Sequence, residues 1–304
     1  MTTRALSLPR RFMPSGRSVV IAIPFAFLLL FFMVPFFAVL KISFADLRMA
    51  MPPYSPLAQW VDGVLQIRLN FAHYRDVLTN GLYIDAYLQS VQVAFISTLL
   101  CLLIGYPTAW LIARSNPARR NVLMVGIMLP FWTSYLIRIY AWIGILKEKG
   151  LLNDFLLWAH LVDRPLRLYH SDWGLYIGMV YSYLPYLILP LYAHLVKMDM
   201  RLIEAARDLG ARPWKVFVTV TLPLSAGGII AGCLLVFIPA VGEYVIPELL
   251  GGADSLMIGR VMWDDFFNNT DWPVAAAAAC AMVVLLLVPM AWFQRVQAGE
   301  GKTS

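Results

Sequence analysis

Long apolar runs alternate along this chain with shorter segments in which charge, proline and glycine collect. About 20 apolar residues, rising 1.5 Å each, cross the 30 Å hydrocarbon core of a bilayer. Six runs qualify, at residues 19–40, 88–113, 122–146, 173–196, 224–249 and 273–294. The pattern predicts an all-α polytopic membrane protein with six transmembrane helices. The fifth run is the least regular, with Pro239, Gly242, Glu243 and Pro247 inside it. A broken span is tolerated only where protein or a water-filled cavity satisfies the freed backbone groups. The first run, VVIAIPFAFLLLFFMVPFFAVL, is too long for the apolar region of a signal peptide and does not end in a small-residue cleavage site.

The polar segments orient the runs. With the N-terminus inside, the inner segments are 1–18, 114–121, 197–223 and 295–304. They hold four, three, five and two Lys or Arg, fourteen of the chain's 24. That bias places both termini in the cytoplasm. It divides the chain into an N-terminal tail (1–18), a membrane domain (19–294) and a C-terminal tail (295–304). The outer loops, 41–87, 147–172 and 250–272, are each too short for an independent enzyme domain.

Composition agrees. Hydrophobic residues make up 60% of the 304 and charged residues 14%, against about 25% charged in a soluble domain. The net charge of +6 comes from inner loops, not from a basic patch interleaved with solvent-facing aromatics, so nucleic acid is not an expected partner. Cys101, Cys233 and Cys280 all fall in apolar runs and read as buried free thiols. No metal-ligand spacing and no catalytic HExxH or GxSxG pattern occurs. The tail GEGKTS carries the Gly-Lys-Thr of a phosphate loop, but the Gly required five residues before Gly301 is replaced by Val296. No ATP site is expected on this chain. A membrane-embedded enzyme and a proton-coupled carrier remain the rival classes. The few ionisable residues within the runs, Arg138, Glu243 and Glu248, offer no catalytic cluster.

The charged segment 204–223, EAARDLGARPWKVFVTVTLP, interrupts this apolar pattern. Leu202, Ala205, Ala206 and Leu209 follow helical spacing. Gly210 ends the turn and Pro213 suits the first turn of a second helix, with Trp214, Phe217, Val218 and Thr221 as its stripe. Its plain reading is a solvated linker on the membrane surface. However, Glu204-Ala205-Ala206, Gly210 and Val220-x-Leu222-Pro223 match E-A-A-x3-G-x9-I-x-L-P, with Val in place of Ile. The segment resembles the EAA coupling loop of ABC importer permeases. Further stretches resemble bacterial putrescine/spermidine permease subunits: DAYLQSVQVAFIST (85–98), IGYPTAWLIA (104–113), RIYAWIGILKEKGLLN (138–153), FIPAVGEYVIPELLGG (237–252), IGRVMWDDFFN (258–268) and DWPVAAA (271–277).

The resemblance implies a type I ABC importer permease fold in a bacterial inner membrane. It implies a non-catalytic subunit that imports putrescine, spermidine or both, or a related small cationic or polar solute. The implied partners are a second, homologous permease, two copies of an ATPase that binds ATP and Mg, and a periplasmic polyamine-binding protein. Glu204, Ala205, Ala206 and Gly210 are then the expected contacts with the ATPase. An acid within a membrane run is a functional candidate by default. A polyamine passage needs carboxylates for its ammonium groups and aromatic faces for cation–π contact. Glu243, Tyr244 and Tyr135 are the candidate path residues. The alternative for Glu243 is a carboxylate at the membrane surface paired with a neighbour such as Arg138. Many of the tyrosines and tryptophans of spans three to five also suit an interfacial belt.

Overall fold

The structure, a computed structural model, describes residues 16–61 and 64–300. Val20–Ser43, Gly81–Arg114, Asp172–Leu195 and Trp272–Ala291 are single helices long and apolar enough to cross a membrane. Two further spans are bent pairs: Pro117–Trp132 with Tyr135–Trp158 at 95°, and Pro213–Leu224 with Ala226–Val241 at 67°. Six apolar runs thus become four unbroken spans and two broken ones. The third run, expected over 122–146, turns at Thr133 and Ser134. The fifth membrane helix stops at Val241, and residues 245–250 form a separate short helix, Val245–Leu250. Prolines 107, 185, 190, 239 and 289 lie inside helices, each lacking the N–H of an i→i−4 bond.

The fourth span is the centre of the molecule. Its Leu175, Met179, Leu187, Ile188, Leu191 and Leu195 are fully buried, packed against the second span (Ala94, Cys101, Ala109, Ile112) and the Ala226–Val241 helix (Val236, Ala240). Backbones can approach closely here because Gly232 has no side chain. A Cβ at that position would lie 3.0 Å from the carbonyl oxygen of Leu187 and 3.4 Å from its Cα. Small residues at helix contacts are the usual device in lipid, where apolar burial alone gives helices little reason to associate.

A second cluster, Val77, Tyr83, Ala86, Ile258, Val261, Ala277 and Ala278, ties the 250–272 loop to the second and sixth spans. Polar side chains complete the tie. Ser90 Oγ accepts from the Ile258 N–H (2.8 Å), Gln89 Oε1 from the Leu256 N–H (3.0 Å), and the Tyr83 hydroxyl donates to Asp265 (2.7 Å). The first span differs from the rest. Nothing in its most apolar stretch is buried within this chain, and only its Val34–Ser43 end packs against the sixth span.

One element departs from an all-helical expectation. Ala58–Val61 and Val64–Ile67 pair antiparallel, with Ala58 opposite Ile67 and Val61 opposite Val64. The sequence signal is Asp62-Gly63, a dipeptide suited to two-residue hairpins, between residues rich in Val, Leu and Trp. Of the N-terminal tail, residues 1–15 lie outside the described residues, as do Gly301–Ser304 of the phosphate-loop-like tail.

Candidate functional site

Two regions depart from plain apolar helix. The first is the charged segment. Arg201–Asp208 is helical, and Gly210 then turns the chain with φ +81°. No atom lies within 4 Å of where a Cβ would stand on Gly210, so glycine is required there by backbone conformation and not by crowding. Pro213–Val216 follows, and a π-turn over Phe217–Thr221 leads to Leu222–Leu224. The stripe expected over Leu202, Ala205, Ala206 and Leu209 is not the buried one: Ile203 is buried, while Leu202, Ala205 and Leu209 are exposed. Leu209 is 89% exposed. Glu204 and Gly210 are exposed as well, and Ala206 is half-buried. The second stripe holds only in part, at Thr221 and at the half-buried Phe217. Trp214 is 73% exposed and Val218 is exposed, whereas Val216 and Thr221 are buried. Phe217 packs edge-on against Tyr106 (5.5 Å between ring centres), and the Tyr106 hydroxyl meets Ser225 Oγ at 3.1 Å, which anchors the segment where the fifth span bends.

The second region is the break after Val241. Glu243 sits two residues before the start of Val245–Leu250, and its carboxylate caps that helix. Oε1 accepts from the Val245 N–H (3.0 Å), from the Ile246 N–H (3.5 Å) and from the Tyr135 hydroxyl (3.1 Å). Oε2 accepts a short hydrogen bond from the Tyr183 hydroxyl. Tyr183 is the twelfth of the 24 residues of Asp172–Leu195, so eleven rises place it about 17 Å along a helix of about 36 Å. The carboxylate therefore lies about halfway along that helix. Phe131, Tyr186, Ser182, Arg138 and Pro239 join Tyr135, Tyr183 and Glu243 around a cavity of about 220 Å³.

Of the candidate path residues, Tyr135 and Glu243 meet and Tyr244 does not join them. Tyr244 stacks on Trp263 instead, 4.5 Å between centres at 13°, outside this cavity. Arg138 does not pair with Glu243. The ion pairs within 4.0 Å among the described residues are Arg167–Glu148 and Arg260–Glu248. The partnership with Tyr183 was not singled out from sequence. Its signal was only a tyrosine in mid-span, among several others. Cys101 and Cys280 are buried and Cys233 is half-buried, all as free thiols.

Residues 102–299 match the family described as binding-protein-dependent transport system inner membrane component. The spermidine/putrescine transport system permease protein PotB of Escherichia coli K12 is 43% identical over 209 residues, 69% of this chain and 76% of that protein. The protein of the same description from Haemophilus influenzae is 38% identical over 270 residues, 89% of this chain and 90% of that one. Among solved structures, a bacterial ABC transporter involved in the import of the acidic polysaccharide alginate superposes with a TM-score of 0.65 at 16% identity. That match covers 91% of this chain and 94% of the other. An inward-facing MetNI methionine ABC transporter gives 0.53 at 16% identity, over 71% and 94%. At such identity these two matches speak to the fold alone.

Proposed function

Because the chain belongs to the family of binding-protein-dependent transport system inner membrane components, we propose that it is the permease subunit of an ATP-driven importer of the polyamines putrescine and spermidine. The reading rests first on the spermidine/putrescine permeases that it matches at 43% and 38% identity over most of their length. The cavity at Glu243 agrees with it in chemistry. A carboxylate at mid-depth, among tyrosine and phenylalanine rings, suits an ammonium group on an apolar stem.

In this reading the chain is multi-pass in the inner membrane with both termini cytoplasmic. It carries no catalytic residue of its own. A second homologous permease completes the passage, two copies of an ATPase bind ATP and Mg, and a periplasmic polyamine-binding protein delivers the cargo. Glu204, Ala205, Ala206 and Gly210 dock on the ATPase. The exposure of Leu202, Leu209 and Trp214 beside them supports this, since apolar side chains left uncovered around a charged bend suit a protein partner. Glu243 and Tyr135 belong to the cargo path, and Tyr244 stands at its edge.

The test is uptake of labelled putrescine and spermidine into vesicles holding the whole complex with the binding protein outside and ATP supplied to the ATPase. Uptake should require ATP and all partners, and the isolated chain should hydrolyse none. A complete complex that moves neither polyamine, or ATP hydrolysis by this chain alone, defeats the proposal. A reporter fused after Ser304 should read cytoplasmic and one inserted near Pro53 periplasmic.

A further inference from the structure

The cavity beside Glu243 holds two opposite charges that do not pair. Arg138 and Glu243 both line it, yet no contact of 4.0 Å or less joins them. The Arg138 guanidinium carbon lies 5.6 Å from the ring centre of Phe131 and 5.6 Å from that of Tyr135. Its Nε is buried and has no hydrogen-bond partner among the described residues. Across the same cavity Ser182, 5% exposed, has a buried Oγ that is also without a partner. The wall therefore offers a polar oxygen with no donor, and a cation that rests over aromatic faces with no acceptor at its Nε. Buried polar atoms seldom stay unpaired without a reason, and a ligand of matching polarity is one.

Charge balance gives the arrangement a sense. Glu243 alone would leave a net negative cavity at mid-depth, open to any small cation. With Arg138 present the cavity is neutral. The guanidinium occupies the kind of place an ammonium prefers, over rings and near a carboxylate. It also has somewhere else to go. Arg138 stands on the first turn after the 95° bend at Thr133 and Ser134, and it lines a second cavity of about 330 Å³ with Trp142 and Tyr181.

We propose that Arg138 is an internal stand-in for the cargo's ammonium group. At rest its guanidinium balances Glu243. A primary ammonium entering the cavity displaces it toward Trp142 and Tyr181 and donates to Ser182 Oγ while facing Glu243. The inference rests on the cationic cargo assigned under Proposed function. It adds a residue that keeps the site neutral between cargoes and decides which cations pass.

The experiment measures KM and kcat separately for putrescine uptake by the whole complex in vesicles, at matched amounts of co-purified ATPase. E243Q leaves a surplus positive charge and should lower uptake about tenfold or more. R138Q leaves a surplus negative charge. It should lower KM severalfold and lower kcat with it, because cargo is held instead of released. The double variant R138Q/E243Q is neutral again and should transport at least about fivefold better than E243Q alone, the mark of two coupled charges. Ser182→Ala should raise KM about threefold, the loss of one hydrogen bond. A double variant no better than E243Q, or R138Q with unchanged KM and kcat, overturns the proposal. If R138Q fails to co-purify with the ATPase, Arg138→Lys takes its place. That variant keeps the charge and should retain uptake within about threefold, and a loss of about tenfold would overturn the idea as surely. Failure of the wild-type complex to carry either polyamine would instead defeat the functional reading itself, so the two failures are distinguishable.

Discussion

The charged segment at 201–224 and the break at 242–244 both interrupt apolar helix, and they treat their polar groups in opposite ways. In the segment, Glu204 forms no side-chain hydrogen bond and no ion pair with any described residue, and Leu209 and Trp214 stand in the open. At the break, four donors converge on one carboxylate, and the two tyrosines that supply two of them come from other spans. The segment is anchored through Ile203, Val216 and Phe217, while its bend around Glu204 and Gly210 stays open to solvent. The break is closed upon itself, so anything that binds there must first compete with bonds the protein already makes. In the proposed reading the exposed bend is a standing interface, whereas the satisfied carboxylate is a site conditional on conformation.

The contrast predicts different kinds of damage. The largest effect belongs to the closed region. Glu243→Ala strands the Tyr183 and Tyr135 hydroxyls and the Val245 N–H away from water, at about 1–3 kcal/mol for each group left unpaired. Uptake should fall more than tenfold, and the purified complex should also unfold at a temperature several degrees lower. Next comes Gly210→Val. A β-branched residue strongly disfavours the φ of +81° found there, so the bend must change. We expect about a tenfold loss of uptake, because a displaced helix end no longer meets its partner, with the melting temperature within a degree or two of wild type. Glu204→Lys should cost uptake a few-fold through the ATPase contact alone, again without a shift in melting, as for a charge at an interface rim. If either segment variant lowered the melting temperature as far as Glu243→Ala does, the contrast would collapse.

The smallest effect divides the carboxylate itself. Oε2 has Tyr183 as its partner among the described residues, whereas Oε1 shares Tyr135 with two backbone N–H groups. Tyr183→Phe should therefore reduce uptake about threefold and Tyr135→Phe less than twofold. The reverse order would mean that the ring of Tyr135 matters more than its hydroxyl.

Much of the frame is legible in sequence because the six apolar runs are long and their signal is local. The Glu-Ala-Ala and Gly210 pattern is local too, and the turn at Gly210 lies where the glycine suggests. Legibility ends where a feature depends on contacts far along the chain. Tyr135 and Tyr183 lie 108 and 60 residues before Glu243, and nothing in their immediate neighbourhoods separates them from Tyr140 or Tyr181. Tyr244, the obvious neighbour in sequence, points to Trp263 because adjacent residues on a backbone leaving a helix need not share a direction. In the second short helix Val216 is buried where the spacing expects Trp214 and Val218, while Thr221 keeps the burial that the spacing predicts. The bend at Thr133 and Ser134 is invisible to a hydropathy count, since the residues on both sides remain apolar.

The position of Tyr183 halfway along its helix has an electrical consequence. A unit charge crossing the whole membrane exchanges about 2.3 kcal/mol with each 100 mV of potential. With the Asp172–Leu195 helix spanning the membrane, a carboxylate at that level sits about midway through the field, so each positive charge reaching it from either face would experience roughly half of that difference. A dication arriving there would already have exchanged about as much energy as a single charge does in crossing completely. If the proposed path runs through this cavity, the step that brings cargo to it is driven or opposed by the membrane voltage, in addition to any work done by the ATPase.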